Sequence, residues 1–438
     1  MATTRSLIIV CFGLMPLTLQ AEGVGTPLDL DVAIELAVRN DPWLSSSSHR
    51  ESALSDQAVA AAELPDPRVN IMAANFPLDS FDIRQEPMTQ LAVGVSQMFP
   101  RGDSLNLARQ QRQQLASQEP LLRFDRQAKV TATTAQLWLE VYRAQQSIAL
   151  IEADRGLFVQ LVDVTRAGYA SALGRARQPD LIRAQLELTR LEDRLTMLRQ
   201  QLEAAQQRLS EWIGVAANQA VTQTPPMRTP AVDLDTLLIA TSNQEQTYER
   251  IRRHPALLAF DLRLAAMATG VELARQKYKP EWGLSAQYGY RADDRMGRSR
   301  ADLFSVGLTF DLPIFTDRRQ DKEVSAAQSL TDASRADKDL LARQLMAELR
   351  ATVVQLQRLA ERNTLYQSQL LPQMAEQAEA SLAAYDNDDG DFAEAVRARI
   401  AELNARIDAL TIAVEQLRLV FRLNYLLTHA PNDAGESR

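Results

Sequence analysis

Four punctuating residues of this 438-residue chain return at one constant interval. Pro42, Pro67, Gly94 and Pro100 are each followed 213 positions later by their like, at Pro255, Pro280, Gly307 and Pro313. Leu44 with Leu257 and Ala61 with Ala274 keep the same step. Gly and Pro mark where elements stop and turn, so a shared spacing of breakers implies two copies of one architecture.

Each copy opens on a helical pattern, Leu28 to Glu63 and then Gln244 to Lys277, closed by a proline that cannot continue it. Strands follow. Trp282, Leu284, Ala286, Tyr288 and Tyr290 alternate with small or polar residues, as do Phe304, Val306, Leu308 and Phe310, the period of a two-faced strand. The first copy is parallel but weaker, with Val69, Ile71 and Ala73 on one strand and Leu91, Val93 and Val95 on the other. Polar loops, Leu78 to Pro87 and Arg291 to Asp302, separate the strands.

Behind each hairpin runs a very long helical tract, Asp103 to Tyr169 and Thr316 to Tyr385, then a break and a return helix. At about 1.5 Å per residue each tract spans ~100 Å. The return helices carry 3-4 apolar seams, Leu181 through Leu209 and Val396 through Phe421, which mark them as coiled-coil helices. Pro120 and Pro372 are expected to kink the long tracts or end a segment. Low Gly and Pro content (16 and 18) and abundant Ala, Leu, Gln, Arg and Glu agree with long helices.

The expected fold is therefore mainly α with a small β part: long antiparallel coiled-coil helices and two β-hairpins. The organisation reads as a signal peptide (1–21), a first repeat (22–213, hairpin 68–100), a linker or equatorial segment (214–243), a second repeat (244–428, hairpin 281–313) and a C-terminal tail (429–438). The leader has Arg5, an apolar run from Leu7 to Leu17 and Ala21 before the cut. Cys11 lies inside that run behind Ile9 and Val10, where lipoprotein cleavage needs small residues, so a mature chain without thiol or lipid anchor is expected. Thr222 to Asp233 is rich in proline.

No other segment has the ~18 continuous apolar residues of a membrane helix, so any span must be made of strands. Four strands cannot close a barrel, and an open sheet edge in lipid leaves unpaired backbone groups at several kcal/mol each. Identical chains must supply the rest. Two would give eight strands and a filled interior; three give twelve and a lumen. Trp282, Leu284, Tyr288, Tyr290, Phe304, Val306, Leu308 and Phe310 would then face lipid, with the aromatics at the bilayer interfaces. Two tracts of ~35 residues stacked end to end match one of ~70, so the helices can continue the barrel as a cylinder.

The segments LDLDVAIELAVRNDP, ELPDPRV and QLAVGVSQMFPRG in the first copy, with RRHPALLAF, LTFDLPIF and LLPQMAEQAEASLAAY in the second, are similar to the TolC-like outer-membrane efflux factors over the mature length. The run NFPLDSFDIRQEPMTQLAVGVSQMFPRGD resembles the heavy-metal branch of the CusC and CzcC type. The resemblance implies a homotrimer with a twelve-stranded outer-membrane barrel and a periplasmic tunnel. It also implies docking to a periplasmic adaptor and an inner-membrane RND-type pump, with heavy-metal cations as cargo. The family's helix tips form the constriction and the docking surface. Here they fall at Leu173, Gly174 and Arg175, and at Asp388, Asp389, Gly390 and Asp391. Asp388, Asp389, Asp391 and Glu394 are the gate candidates, while Arg397 stands where a further acid is expected. Three copies of an acidic tip would concentrate negative potential and favour cations; as a solvated turn, the same aspartates would cap a helix.

Chemistry of other kinds has no purchase. The histidines, His49, His254 and His429, are scattered, and no Cys, His or carboxylate cluster has metal-ligand spacing. Met72, Met88 and Met98 surround the first hairpin and offer soft donors for Cu(I), although gap filling is the commoner use of methionine. No nucleophile elbow, phosphate loop or dinucleotide fingerprint is present, so neither an enzyme nor a cofactor is expected. Net charge of −8 and pI near 5.2 argue against nucleic acid. The alternatives to a metal duct are the same pore carrying drugs or secreted polypeptides, and a periplasmic coiled-coil scaffold or adaptor.

Overall fold

Each repeat unfolds as the same series: two helices meeting at a proline, a strand pair, a very long helix and a return helix. The computed structural model describes residues 27–170, 178–224, 226, 228–387 and 392–430. The first repeat contains α1 (Leu30–Asn40), α2 (Pro42–Ala61), β1 (Arg68–Ala74), β2 (Gln90–Phe99), α3 (Ser104–Ala170) and α4 (Gln178–Ile213). A connecting region holds a short 3-10 turn (Gly214–Asn218) and α5 (Leu234–Thr241). The second repeat contains α6 (Gln244–Ile251), α7 (Pro255–Arg275), β3 (Trp282–Tyr290), β4 (Leu303–Phe310), α8 (Gln320–Leu365), a π turn (Tyr366–Leu370), α9 (Leu371–Asp386) and α10 (Phe392–Leu426).

The opening helical patterns are each two helices, not one, and the proline is the reason. Pro42 and Pro255 occupy first-turn positions, where their missing N–H costs nothing, behind the N-caps Asp41 and His254. The two other prolines behave differently from one another. Pro120 sits inside α3 without interrupting its 67 residues. Pro372 ends a segment as expected: α8, the π turn and α9, with 46, 5 and 16 residues, together match the length of α3, and the π turn lies immediately before the proline. A widened turn leaves room for the ring that would otherwise strike the carbonyl of the preceding turn.

The Pro-rich connecting region is tied down. Val221 bridges Leu28 in parallel, and the Gln145 side chain pairs with both backbone groups of Val221 at 3.0 Å. Trp138, fully buried in α3, donates its indole N–H to the Leu28 carbonyl at 3.1 Å. Around these bonds Leu30, Leu139, Leu209, Val414 and Phe421 form one apolar cluster; Ile251, Leu257, Leu349, Val353 and Leu426 form a second. A third, Ile151, Phe158, Leu191, Leu195, Val396 and Leu403, lies toward the far ends of α3, α4 and α10.

Both expected seams are buried or half-buried on α4 and α10. Helix α10 buries a second stripe as well, Ala395, Ala398, Glu402, Ala405, Ala409 and Ile412, at spacings of three and four. Small residues there let neighbouring helices approach, and one position is charged. Glu402 is 2% exposed and accepts from Arg399 at 2.7 Å and from Arg406, while Arg399 also reaches Asp154 of α3 at 3.2 Å.

Glu402→Ala would take a shared carboxylate from Arg399 and Arg406 beside the third cluster, leaving Arg399 with Asp154. The expected loss is about 2 kcal/mol, less than the ~3–5 of a fully enclosed pair because both arginines keep some water. A urea midpoint measured on the helical signal in detergent checks it; an unmoved midpoint would show that the ion pairs contribute nothing.

Candidate functional site

The part of the chain able to meet a membrane is its only sheet among the described residues. The four strands lie in the order β1-β2-β3-β4, every neighbour antiparallel. In register, Ile71 stands beside Val93, Val93 beside Tyr288, and Tyr288 beside Phe304; Phe99 stands beside Trp282, and Trp282 beside Phe310. Because side chains alternate, these rows share one face. All eight sequence-predicted lipid-facing residues lie on it and are exposed, from Trp282 at 41% to Phe304 at 71%, with Leu284, Tyr290, Val306 and Leu308 between.

Aromatics gather at the two ends of that face. Phe99, Trp282 and Phe310 form the row nearest the helices, with the last two rings 5.0 Å apart, and Tyr288 beside Phe304, with Tyr290 beyond them, lies nearest the loops. Aliphatic residues fill the middle. Nine residues in β3 extend ~30 Å, or ~23 Å when tilted by ~40°, close to the ~25 Å apolar band of an outer-membrane barrel.

The opposite face is made of small and polar residues: Ala92, Gly94, Ser96, Gly283, Ser285, Gln287, Ser305 and Thr309. A Cβ on Gly283 would lie 2.8 Å from the Met98 sulfur, and one on Gly307 would lie 2.7 Å from the Ser285 hydroxyl. Glycine at these positions leaves room for the Met98 and Ser285 side chains across the strands. Met72 pairs with Ala92 and Met98 with Gly283, so six residues of β2, or ~20 Å, separate two of the three methionines, which do not converge on a soft-metal site.

Both ends of the sheet are laced by arginine. On the loop side Arg295 reaches Asp82 at 3.0 Å and Gln85 at 3.0 Å, Arg291 donates to the Pro87 carbonyl at 3.3 Å, and Arg300 donates to the Glu86 carbonyl at 2.9 Å. The Arg84 N–H and then Arg295 hold the Asp82 carboxyl below its ordinary range. On the helix side Arg101 donates to the carbonyls of Lys277 at 3.2 Å and Lys279 at 3.1 Å and pairs with Asp311. Gly102 follows it with φ of +49°, turning the chain into α3. Sequence reasoning missed these arginines, because their partners lie about 176–214 positions away along the chain. Their one signal was position, close to strand ends.

No helix of the described residues is long and apolar enough to cross a membrane, and no group of three or more His, Cys, Asp or Glu among them could hold a metal ion. At the opposite pole, the tip candidates Leu173, Gly174, Arg175 and Gly390, and the gate candidates Asp388, Asp389 and Asp391, lie outside the described residues. Glu394 is exposed on the first turn of α10, where a negative charge favours the helix. Arg397 is exposed one turn on and donates to the Ala393 carbonyl at 2.9 Å. Across from it, Arg183 and Arg190 of α4 border the same groove.

A short sheet with an apolar outer face, carried on helices of this length, has known counterparts. Residues 247–427 match the outer membrane efflux protein family. That segment is nearly the whole second repeat. Over most of its length the chain shares the fold of solved channels: the outer-membrane channel OprN superposes with a TM-score of 0.74 at 17% identity, covering 92% of this chain and 90% of OprN. The outer membrane protein VceC of Vibrio cholerae gives 0.74 at 16% identity, covering 92% and 96%. CusC, studied for its folding and transmembrane channel formation, gives 0.71 at 13% identity, covering 94% and 96%. No curated protein matches the sequence.

Facing predicts asymmetric tolerance. Val306→Arg, mid-strand on the sheet's apolar side, should cost ~2–4 kcal/mol per copy and reduce insertion into lipid vesicles, whereas Ser305→Arg on the opposite face should insert normally. Equal insertion of the two variants, scored by protease protection, would reverse the assignment of faces.

Proposed function

We propose that three copies of this chain close a twelve-stranded barrel in the outer membrane and that their helices continue it as a periplasmic tunnel. The observation that carries the reading is the sheet itself: its outer face is apolar from edge to edge, and within one chain β1 and β4 each have a neighbour on one side only. Backbone groups along those two edges need partners in lipid, and identical chains supply them. The protein is then a passive exit duct, without catalytic chemistry of its own, for a periplasmic adaptor and an inner-membrane RND-type pump that provides the energy.

Export of heavy-metal cations is the cargo we favour, supported by the first-hairpin run from Asn75 to Asp103 and by the acidic candidates Asp388, Asp389, Asp391 and Glu394 at the tip. The adaptor would seat on the same tips, at Leu173, Gly174, Arg175 and Gly390. OprN and VceC have the same fold as CusC, so fold similarity does not discriminate among cargoes.

Purified protein in planar bilayers should form stable cation-preferring pores and run as a trimer by native mass spectrometry. Replacing Asp388, Asp389 and Asp391 with Asn should reduce the cation preference severalfold. A folded, water-soluble monomer that washes off membranes with salt would instead support a periplasmic scaffold.

Deletion should sensitise cells to copper, silver, zinc or cobalt when the partner pump is expressed and no other duct substitutes. Unchanged metal tolerance together with new sensitivity to antibiotics would reassign the cargo and leave the pore intact.

A further inference from the structure

The two proline joints occupy equivalent places in the repeats, and α3 serves both with consecutive residues. In the first, Asp41 caps α2 by accepting from the Trp43 N–H at 3.0 Å and pairs with Arg126 of α3 at 2.7 Å. The Arg126 guanidinium lies 5.4 Å from the ring of Trp212, at the end of α4. In the second, 213 positions on, His254 replaces Asp41 and Tyr425 replaces Trp212. His254 is 1% exposed; its Nδ1 accepts from the Ala256 N–H at 3.3 Å, and its Nε2 faces the Tyr425 carbonyl at 3.2 Å. The Tyr425 hydroxyl donates to Asp125 at 3.1 Å, and Lys129 holds the other Asp125 oxygen at 2.7 Å.

These contacts assign a single tautomer. Nε2 carries the proton, because a carbonyl can only accept, and Nδ1 is bare, because a backbone N–H can only donate. A second proton has nowhere to go except Nδ1, where it would abolish the cap and place positive charge at the N-terminus of α7. In the first joint the cap is a carboxylate oxygen, which has no ring nitrogen to be taken up by a proton.

We propose that the second joint, unlike the first, is an acid-sensitive hinge in which protonation of His254 releases the start of α7 from the end of α10. The consequence is directional. Helix α7 leads into β3, and α10 returns from the far end of the helices, so the joint couples the strand-bearing and tip-bearing parts of the second repeat.

The groups around the imidazole bear this out in sign. Burial disfavours its charged form most; Asp125 of α3 and the Tyr425 carbonyl of α10 favour it, while Lys129 of α3 and His429 beyond α10 oppose it, and the proton affinity is lowered on balance. Arg422 of α10 and Glu348 of α8 act one layer out, on Tyr425, whose hydroxyl is pushed up by burial and Asp125. A histidine with lowered folded-state affinity contributes stability that is fully present above its unfolded value of about 6.5 and is lost as pH falls from there toward the folded value.

The test is hydrogen–deuterium exchange on the full-length protein in detergent at pH 7.5 and pH 5, corrected for intrinsic rates. Amides of Ala256, Leu257 and Leu258 and of Leu426 and Leu427 should lose at least tenfold protection at the lower pH, while Trp43 and Leu44 keep theirs. His254→Asn, which caps without titrating, should abolish the loss. Equal response of the two joints, or a response that survives in the Asn variant, overturns the proposal. Should the variant fold poorly, ring carbon NMR of the wild type decides: His254 must titrate below the ordinary imidazole value of about 6.5, and an ordinary or raised value refutes the hinge.

Discussion

Unpaired backbone groups along two strand edges are the constraint from which the rest of this structure follows. A sheet whose outer face runs from Val69 and Ile71 through Val93 and Tyr288 to Phe304 has nothing to bury itself against within its own chain. Lipid can cover the apolar side chains but cannot hydrogen-bond the edges. The opposite face is small and polar, with glycine where a side chain would collide with Met98 or Ser285. A two-edged, outwardly apolar sheet is what we read as a sector of a barrel.

What holds the sector to its helices is electrostatic and local. Arg101 gathers two carbonyls and Asp311 where the sheet meets the helices, and Arg291, Arg295 and Arg300 do comparable work between the two loops. Neither set gains much from Coulomb attraction at an exposed surface. Their value lies in satisfying carbonyls that no strand partner reaches, which fixes how two separate hairpins enter one sheet. Farther along, the helices rely on apolar seams, and Glu402 marks the one buried stripe of α10 that carries charge.

Duplication made the architecture legible but concealed its asymmetries. The proline step located both joints, yet the patterns there read as continuous helices, because apolar periodicity persists across Asn40 to Pro42 and hides a break that only the cap geometry reveals. Pro120 read as a disruption and is absorbed; a long helix packed along much of its length tolerates one missing hydrogen bond, whereas Pro372 coincides with a π turn. The Pro-rich connector read as a linker, and its attachment to the helices emerged only from Gln145 and Tyr142, residues of a helix distant in sequence that hold Val221 and Gln223.

The sequence by itself determined the period-two strands, their apolar face, the coiled-coil seams and the repeat, since each is a local pattern imposed by backbone geometry. Only the tertiary structure decided that β2 pairs with β3, joining the hairpins into one sheet, and that Asp125 and Arg126 divide between two joints. It also decided that His254, one of three histidines with nothing in its neighbours to single it out, is the buried one. Pairing, burial and proton affinity depend on groups brought together from far apart in the chain, and such distances leave no periodic trace in the order of the residues.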